Sequence, residues 1–241
     1  MGWSAYLKLG ITLSEAQAEL ARSRIAAAGL SGRCQVEICD YRDLPHSAVF
    51  DKVVSVEMFE AVGRSQMDDY FAAAYRHTRP GGLFLNQGIV WTAPRTRGPL
   101  AWARAQLWQE LASMRTYIFP DGELISSGES LSFAEQAGFE PRDLENLREH
   151  YVLTLDHWLR RLDARRNTAV ALVGEHTYRA WRLYLAGSRW HFRVGTMSLV
   201  QMLFARQDAH GQVELPRIRN DLYTSPLLER GVGTAASPTA R

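Results

Sequence analysis

The sequence lacks several features that would assign it to a common class. No G-x-G-x-x-G segment follows its first apolar strand pattern, which weakens an assignment as a nicotinamide-dependent oxidoreductase. Its two cysteines, Cys34 and Cys39, have neither the spacing of metal ligands nor the number that a disulfide framework needs. No run approaches the roughly eighteen apolar residues of a membrane span, and residues 1–9 lack an export-signal pattern. We therefore expect a soluble protein of the reducing cytoplasm.

An excess of charge of either sign is also missing. The chain has 28 Lys and Arg against 26 Asp and Glu, so it has no large cationic field, and nucleic acid is not expected as a partner. Arginines are concentrated in two short segments, residues 95–98 and residues 160–166. Such segments either form solvated helix faces or meet an anionic membrane surface, and the sequence leaves both interpretations open.

Apolar periodicity predicts strands that alternate with helices. Ser14 begins a predicted helix as its N-cap, with Gln17 at the spacing of a capping box. Predicted strands occupy residues 7–14, 33–44, 50–57, 83–90 and 197–206, and predicted helices occupy residues 14–30, 100–115, 154–166 and 167–192. Residues 65–82 form a predicted helix that Pro-Gly-Gly stops, and residues 131–151 a predicted helix that returns to an edge strand. This order favours a doubly wound sheet, largely parallel and covered on both faces.

Polar side chains stand where several of these strands end. Thr12, Asp40, Glu57 and Gln87 occupy such positions, and ligands of doubly wound sheets bind beyond the carboxyl ends of the strands. Oxidoreductase, methyltransferase and non-catalytic scaffold all remain open at this point, because a fold does not specify a function.

Seven segments in this order resemble the cyclopropane-fatty-acyl-phospholipid synthase family. They are "GITLSEAQ", "CDYRDL", "FDKVVSVEMFEAVG", "RPGGLFLNQGI", "YIFPDGEL", "EHYVLTLDHWLRRL" and "YRAWRLYLAGS". The resemblance implies an α/β fold: a Rossmann-like class I methyltransferase with a doubly wound sheet and a helical lid insertion. It also implies transfer from S-adenosylmethionine to the double bond of unsaturated phospholipid acyl chains, with peripheral contact at the inner membrane surface, and it allows a homodimer.

The resemblance suggests a division of the chain into four parts. Residues 1–90 would be the cofactor-binding half, residues 91–135 the lid, residues 136–228 the remainder of the same domain with the acyl-chain pocket, and residues 229–241 a disordered tail. Six of the seven tryptophans lie at residue 91 or later, where they either cap an apolar pocket or anchor a core.

Five residues match the cofactor-binding segments of this family. Thr12, Leu13 and Gln17 correspond to residues along the ribose and methionine part of S-adenosylmethionine. Asp40 and Tyr41 correspond to an acidic and aromatic pair at the adenine, where a carboxylate can accept from the exocyclic amine. Asp40 as a simple turn former is the alternative.

Three further residues match the family's bicarbonate site, namely Glu60, Tyr151 and Gln87. Addition of a methyl group to an alkene leaves a carbocation, and closing a ring from it requires a base in a dry pocket. The resemblance makes bicarbonate that base. Gln87 stands where relatives have a histidine, so a methyl-branching outcome is an alternative to ring closure. Glu57 is interpreted as a cofactor-side or structural carboxylate.

The family's first strand and glycine-rich loop have no counterpart in the sequence, so we expect an N-terminally truncated sheet with open strand edges and weak or absent binding of S-adenosylmethionine. Two alternatives therefore stay open. One is a catalytically silent remnant that binds lipid or a partner subunit, and the other is a small-molecule methyltransferase.

Overall fold

The structure, a computed structural model, describes residues 8–92 and 122–218. It contains six strands: β1 (Lys8–Thr12), β2 (Cys34–Ile38), β3 (Phe50–Val56), β4 (Thr78–Trp91), β5 (Glu140–Asn146) and β6 (Met197–Ala205). Its helices are α1 (Glu15–Ala27), α2 (Met67–His77), α3 (Ser127–Gln136), α4 (Arg148–Ala164) and α5 (Arg166–Val194). The predicted helix at residues 100–115, most of the predicted lid and the predicted tail lie outside the described residues.

The strands form two sheets in the described part of the chain. β1 and β2 pair in parallel, and a second sheet has the order β3-β4-β6-β5. β3 and β4 are parallel, whereas β6 is antiparallel to both of its neighbours. The expectation of a largely parallel sheet is therefore wrong at β6. The reason is that the α4–α5 hairpin returns the chain to the end of the sheet that it left, so the next strand must run in the opposite direction.

β1 and β3 each pair on one side only among the described strands, as the expectation of open edges required. Val54 and Val56 of β3 are 61% and 56% exposed. Alternating residues of β3 share a face with their partners on β4, so these two valines belong to a sheet face that the described helices cover incompletely.

Each face of the larger sheet packs against its own pair of helices. One core joins Phe84, Val90 and Phe204 to α2 and α3. The other joins Ile89 and Leu199 to α4 and α5. Since residues 89 and 90 point to opposite faces of β4, this strand is the centre of a helix–sheet–helix sandwich.

α2 is shorter than its sequence pattern predicts. It ends at His77, and β4 starts at Thr78 rather than after the Pro-Gly-Gly segment. The Arg206 guanidinium donates to the carbonyls of Tyr75 and Thr78, each at 2.9 Å, and thereby satisfies carbonyl groups that end the helix. A residue that is distant in sequence therefore contributes to this boundary, beside the Pro-Gly-Gly segment that follows it.

Candidate active site

Glu60 is a buried carboxylate in the short 3-10 turn that follows β3 (Phe59–Ala61). One of its oxygens accepts from the Ile89 backbone N–H on β4. The other oxygen, Oε2, is buried and has no hydrogen-bond partner among the described residues. Burial, with a smaller contribution from the negative charge of Glu57, raises the pKa of Glu60 to about 7. Near neutral pH this side chain can therefore either donate or accept a hydrogen bond.

Close packing against β4 holds the Glu60 turn in place. A Cβ atom added to Gly88 would lie 1.9 Å from the Phe59 ring and 2.9 Å from a Glu60 carboxylate oxygen. Only glycine therefore allows the turn to approach the strand this closely. The sequence Phe59-Glu60 and the glycine of β4 together explain why the carboxylate reaches the Ile89 amide.

Glu57, the residue directly after β3, has a strained backbone. Its φ of 50° lies in the left-handed region, and it is the single non-glycine residue there among the described residues. Its backbone N–H donates to the Gln87 carbonyl at 2.8 Å. Burial raises the pKa of Glu57, and the nearby Tyr151 hydroxyl opposes this rise. Backbone strain of this kind commonly accompanies functional sites.

Tyr151 approaches the same site from the first turn of α4. Burial raises the pKa of Tyr151, and the negative charges of Glu57 and Glu60 reinforce this rise, so its hydroxyl stays protonated and can donate. Its ring packs against Phe192 and Trp158, at centroid distances of 4.8 Å and 6.1 Å. The structure thus brings Glu60 and Tyr151 to one cluster, although their positions are 91 residues apart in the sequence.

Gln87 lies within β4, four residues before its end, and not at a strand terminus as the sequence pattern suggested. It pairs with Val56, the last residue of β3, and so stands at the carboxyl end of that neighbouring strand. Strand alternation places its side chain on the same sheet face as Ile89, which packs in the core that includes Tyr151. Its side-chain oxygen accepts from Gln201 Nε2 at 2.6 Å, which leaves its amide N–H groups as donors toward the site.

Thr12, Leu13 and Gln17 cluster at the carboxyl end of β1. The Thr12 hydroxyl donates to Gln17 Oε1 at 2.9 Å, and the Gln17 N–H donates to Ser14 at 3.3 Å. Ser14 caps α1 as predicted, but the side chain of Gln17 bonds to Thr12 rather than completing a capping box. Leu13 is 70% exposed, which leaves an apolar side chain free to contact a ligand.

Asp40 and Tyr41 follow β2 and lie at the same edge as Thr12, because β1 and β2 pair in parallel and the Cys39 N–H donates to the Thr12 carbonyl. Asp40 caps a 3-10 turn, and its carboxylate accepts from the backbone and guanidinium of Arg42 at 2.6–2.9 Å. This contact holds the pKa of Asp40 below its usual range. The side chain is thus a turn former that still carries full negative charge at this edge.

Tyr70 links the two groups of predicted residues. The Tyr41 ring packs edge-on against Tyr70 at 5.7 Å, and the Tyr70 hydroxyl donates to the buried Asn86 at 3.0 Å. Burial raises the pKa of Tyr70, and the nearby Glu60 adds to this rise. The predicted adenine-side and bicarbonate-side residues therefore flank one buried tyrosine.

Sequence reasoning missed one residue of this arrangement, Gln201, and the environment of another, Glu57. Gln201 orients Gln87 from β6, and only strand pairing reveals the contact, since these residues are 114 positions apart. Glu57 was noticed as a carboxylate at a strand end, but its interaction with Tyr151 depends on how α4 packs. No group of three metal-ligating side chains comes together within residues 8–92 and 122–218.

The sequence model of the mycolic acid cyclopropane synthetase family matches residues 6–202. A protein of Pseudomonas putida named "Probable fatty acid methyltransferase" is 41% identical over 89% of this chain and 52% of its own length. The "Tuberculostearic acid methyltransferase UfaA1" of Mycobacterium tuberculosis is 40% identical over 82% of this chain and 44% of its own length. The chain thus spans about half the length of these relatives.

Solved structures share the fold. The cyclopropane synthase MmaA2 from Mycobacterium tuberculosis is 26% identical with a TM-score of 0.73, and the similarity covers 82% of this chain and 69% of that one. The mycolic acid cyclopropane synthase CmaA1 complexed with SAH and CTAB is 28% identical with a TM-score of 0.74 and the same coverage. The described elements accordingly have the Rossmann-like arrangement of class I methyltransferases.

Proposed function

As a member of the mycolic acid cyclopropane synthetase family, the chain is expected to share its chemistry, and we propose that it transfers a methyl or methylene group from S-adenosylmethionine to the double bond of unsaturated phospholipid acyl chains. The observation that carries this proposal is the buried Glu60. It has one oxygen bonded to a backbone amide and one without a partner, and its charge acts on the Tyr151 hydroxyl.

Thr12, Leu13 and Gln17 would hold the ribose and methionine part of S-adenosylmethionine, and Asp40 and Tyr41 would meet its adenine. When bound, this cofactor supplies an electrophilic methyl group on a sulfonium. The exposed Leu13 fits an apolar part of this cofactor, and the ionised Asp40 fits the exocyclic amine of its adenine. The Asp40 carboxylate can accept a further hydrogen bond, because each of its oxygens has more than one acceptor position.

Glu60, Tyr151 and Gln87 would hold bicarbonate, which supplies a base when bound. The buried Oε2 of Glu60 fits a hydroxyl donor, and the protonated Tyr151 hydroxyl and the Gln87 amide fit acceptor oxygens. Because Glu60 has a pKa near 7, it can also hold the proton that this arrangement shares. The apolar residues around Tyr151 would exclude water from the proton transfer.

The glutamine at position 87 affects which product the proposed reaction forms. An amide orients an anion through hydrogen bonds but cannot relay a proton as an imidazole does. Methyl branching of the acyl chain therefore belongs to this proposal beside cyclopropane formation. We place the protein at the cytoplasmic surface of the membrane, where phospholipid acyl chains are accessible to a peripheral enzyme.

The test combines purified protein, S-adenosylmethionine labelled on the methyl group and vesicles of an unsaturated phospholipid, followed by analysis of the acyl chains. Label in the chains is expected, with loss of about 100-fold in Glu60→Gln. Glu135→Gln, which removes an exposed acid from α3, should leave the rate unchanged. A folded protein that labels no acyl chain contradicts the proposal, and label on a soluble acceptor indicates a small-molecule methyltransferase instead.

β1 and β3 each pair on one side only among the described strands, and this pairing is the observation that bears on the second candidate, a silent chain that binds lipid or a partner subunit. Titration calorimetry with S-adenosylmethionine separates the candidates at an earlier step. The silent chain predicts weak or absent binding of S-adenosylmethionine, whereas tight binding would support the enzyme.

A further inference from the structure

One face of α4 combines exposed arginines with exposed apolar side chains. Successive residues of a helix are about 100° apart around its axis. The residues within one sector of roughly 160° form a set that we call the basic face. Its members are Leu153, His157, Trp158, Arg160, Arg161 and Arg165, and all of them are exposed. Leu153 is 59% exposed and Trp158 40% exposed, both high for large apolar residues.

The arginines of the basic face have no ion-pair partners among the described residues, whereas the acids of the hairpin are paired. Asp156 and Asp163, the acids of α4 between Leu153 and its end, point to α5, where they pair with Arg189 and Arg182. Glu149, one turn before Leu153, pairs with Arg148. The basic face therefore carries three positive charges that no neighbouring acid neutralises.

A shallow groove of about 330 Å³ lies on this face and is lined by Thr154, His157, Trp158 and Arg161. A guanidinium and an imidazole at one opening are suited to a phosphate oxygen. A tryptophan at its wall is suited to the boundary between phospholipid headgroups and acyl chains, where one part of the ring is wet and the other apolar.

The basic face also adjoins the candidate active site. The Trp158 ring packs edge-on against Tyr151 at 6.1 Å, so one tryptophan contacts both the solvent face and the tyrosine beside Glu60. Among the described residues no helix is long and apolar enough to span a bilayer. Contact through a surface such as this one is compatible with that finding.

We propose that the basic face of α4 docks on the surface of a bilayer that contains anionic phospholipid, with a headgroup phosphate in the groove at Arg161. This inference rests on the proposed function for its biological meaning, because that function puts the substrate in a bilayer. Unpaired arginines match the negative surface charge, and Trp158 and Leu153 match the apolar layer beneath it. An acidic protein would match the arginines but would leave these two apolar side chains without a counterpart.

The experiment is flotation of the protein with vesicles of phosphatidylcholine, with and without phosphatidylglycerol, in the absence of S-adenosylmethionine. Binding is expected only with phosphatidylglycerol and should weaken as salt rises. The triple variant Arg160→Gln, Arg161→Gln, Arg165→Gln should bind roughly 100-fold more weakly. A control triple variant removes the same charge from other exposed arginines and should bind as the unchanged protein does: Arg24→Gln, Arg33→Gln, Arg217→Gln.

Three results would overturn the inference: equal binding to both vesicle types, equal weakening in the two triple variants, or release of the protein by inorganic phosphate at matched ionic strength. The salt dependence of the unchanged protein tests the charge even if a variant does not fold. A chain that binds these vesicles but transfers no methyl group contradicts the proposed function alone. A chain that modifies detergent-dispersed lipid without binding vesicles contradicts this inference alone.

Discussion

Replacing Glu60 by glutamine should stabilise the protein at alkaline pH while abolishing its proposed activity. The pKa of Glu60 is raised to about 7 by burial, against an ordinary value of 4.5. A folded-state pKa above the unfolded value means that the associated stability is fully present below pH 4.5 and is lost as the pH rises through about 7. Above that pH the folded protein holds a buried charge with one unpartnered oxygen.

The difference between these two pKa values corresponds to about 3 kcal/mol of stability lost between acidic and alkaline pH. Glutamine has the same shape, keeps an oxygen for the Ile89 N–H and never ionises. Its buried amide N–H groups replace the unpartnered oxygen. This replacement lowers the stability by about 1 kcal/mol at every pH. We therefore expect Glu60→Gln to be less stable by about 1 kcal/mol at pH 4.5 and more stable by about 2 kcal/mol at pH 8.5.

Urea denaturation of both proteins, monitored by circular dichroism at a series of pH values, measures how the difference in their stability changes sign with pH. Glu135→Gln serves as the control, because an exposed acid should change stability little at any pH. A stability difference between Glu60→Gln and the unchanged protein that stays constant from pH 4.5 to 8.5 would refute the reasoning. It would show that Glu60 is as well solvated in the folded as in the unfolded chain.

Three further substitutions test other parts of the site. Tyr151→Phe should lower methyl transfer by about 100-fold with little loss of stability, and transfer at an unchanged rate would contradict a donor role. Glu57→Gly should be more stable than Glu57→Ala by about 1 kcal/mol in urea, because only glycine relieves the positive φ; equal stability would argue against strain. Gly88→Ala should lose about 3 kcal/mol through collision with Phe59, whereas Gly32→Ala, with open space around it, should not; thermal melts compare the two.

Local signals in the sequence predicted most elements of the fold. The helix that Ser14 caps, the strand before Glu57 and the two long helices of the later half occur where periodicity placed them. Such elements follow from the spacing of apolar residues and from caps, which act over a few positions. The early end of α2 was not predictable in this way, because the carbonyl groups there bond to Arg206 on the far side of the chain.

The sequence alone supplied the candidate residues, since Glu60 and Tyr151 lie in short segments that resemble a known family, and their roles in a site stay predictions. Tertiary structure decided how they act. One oxygen of Glu60 reaches the Ile89 amide because Phe59 packs against Gly88, and the side chain of Gln87 is oriented by Gln201 on another strand. Burial and hydrogen-bond partners depend on atoms that are distant in the sequence, so the pKa of a carboxylate emerges only when the chain has folded.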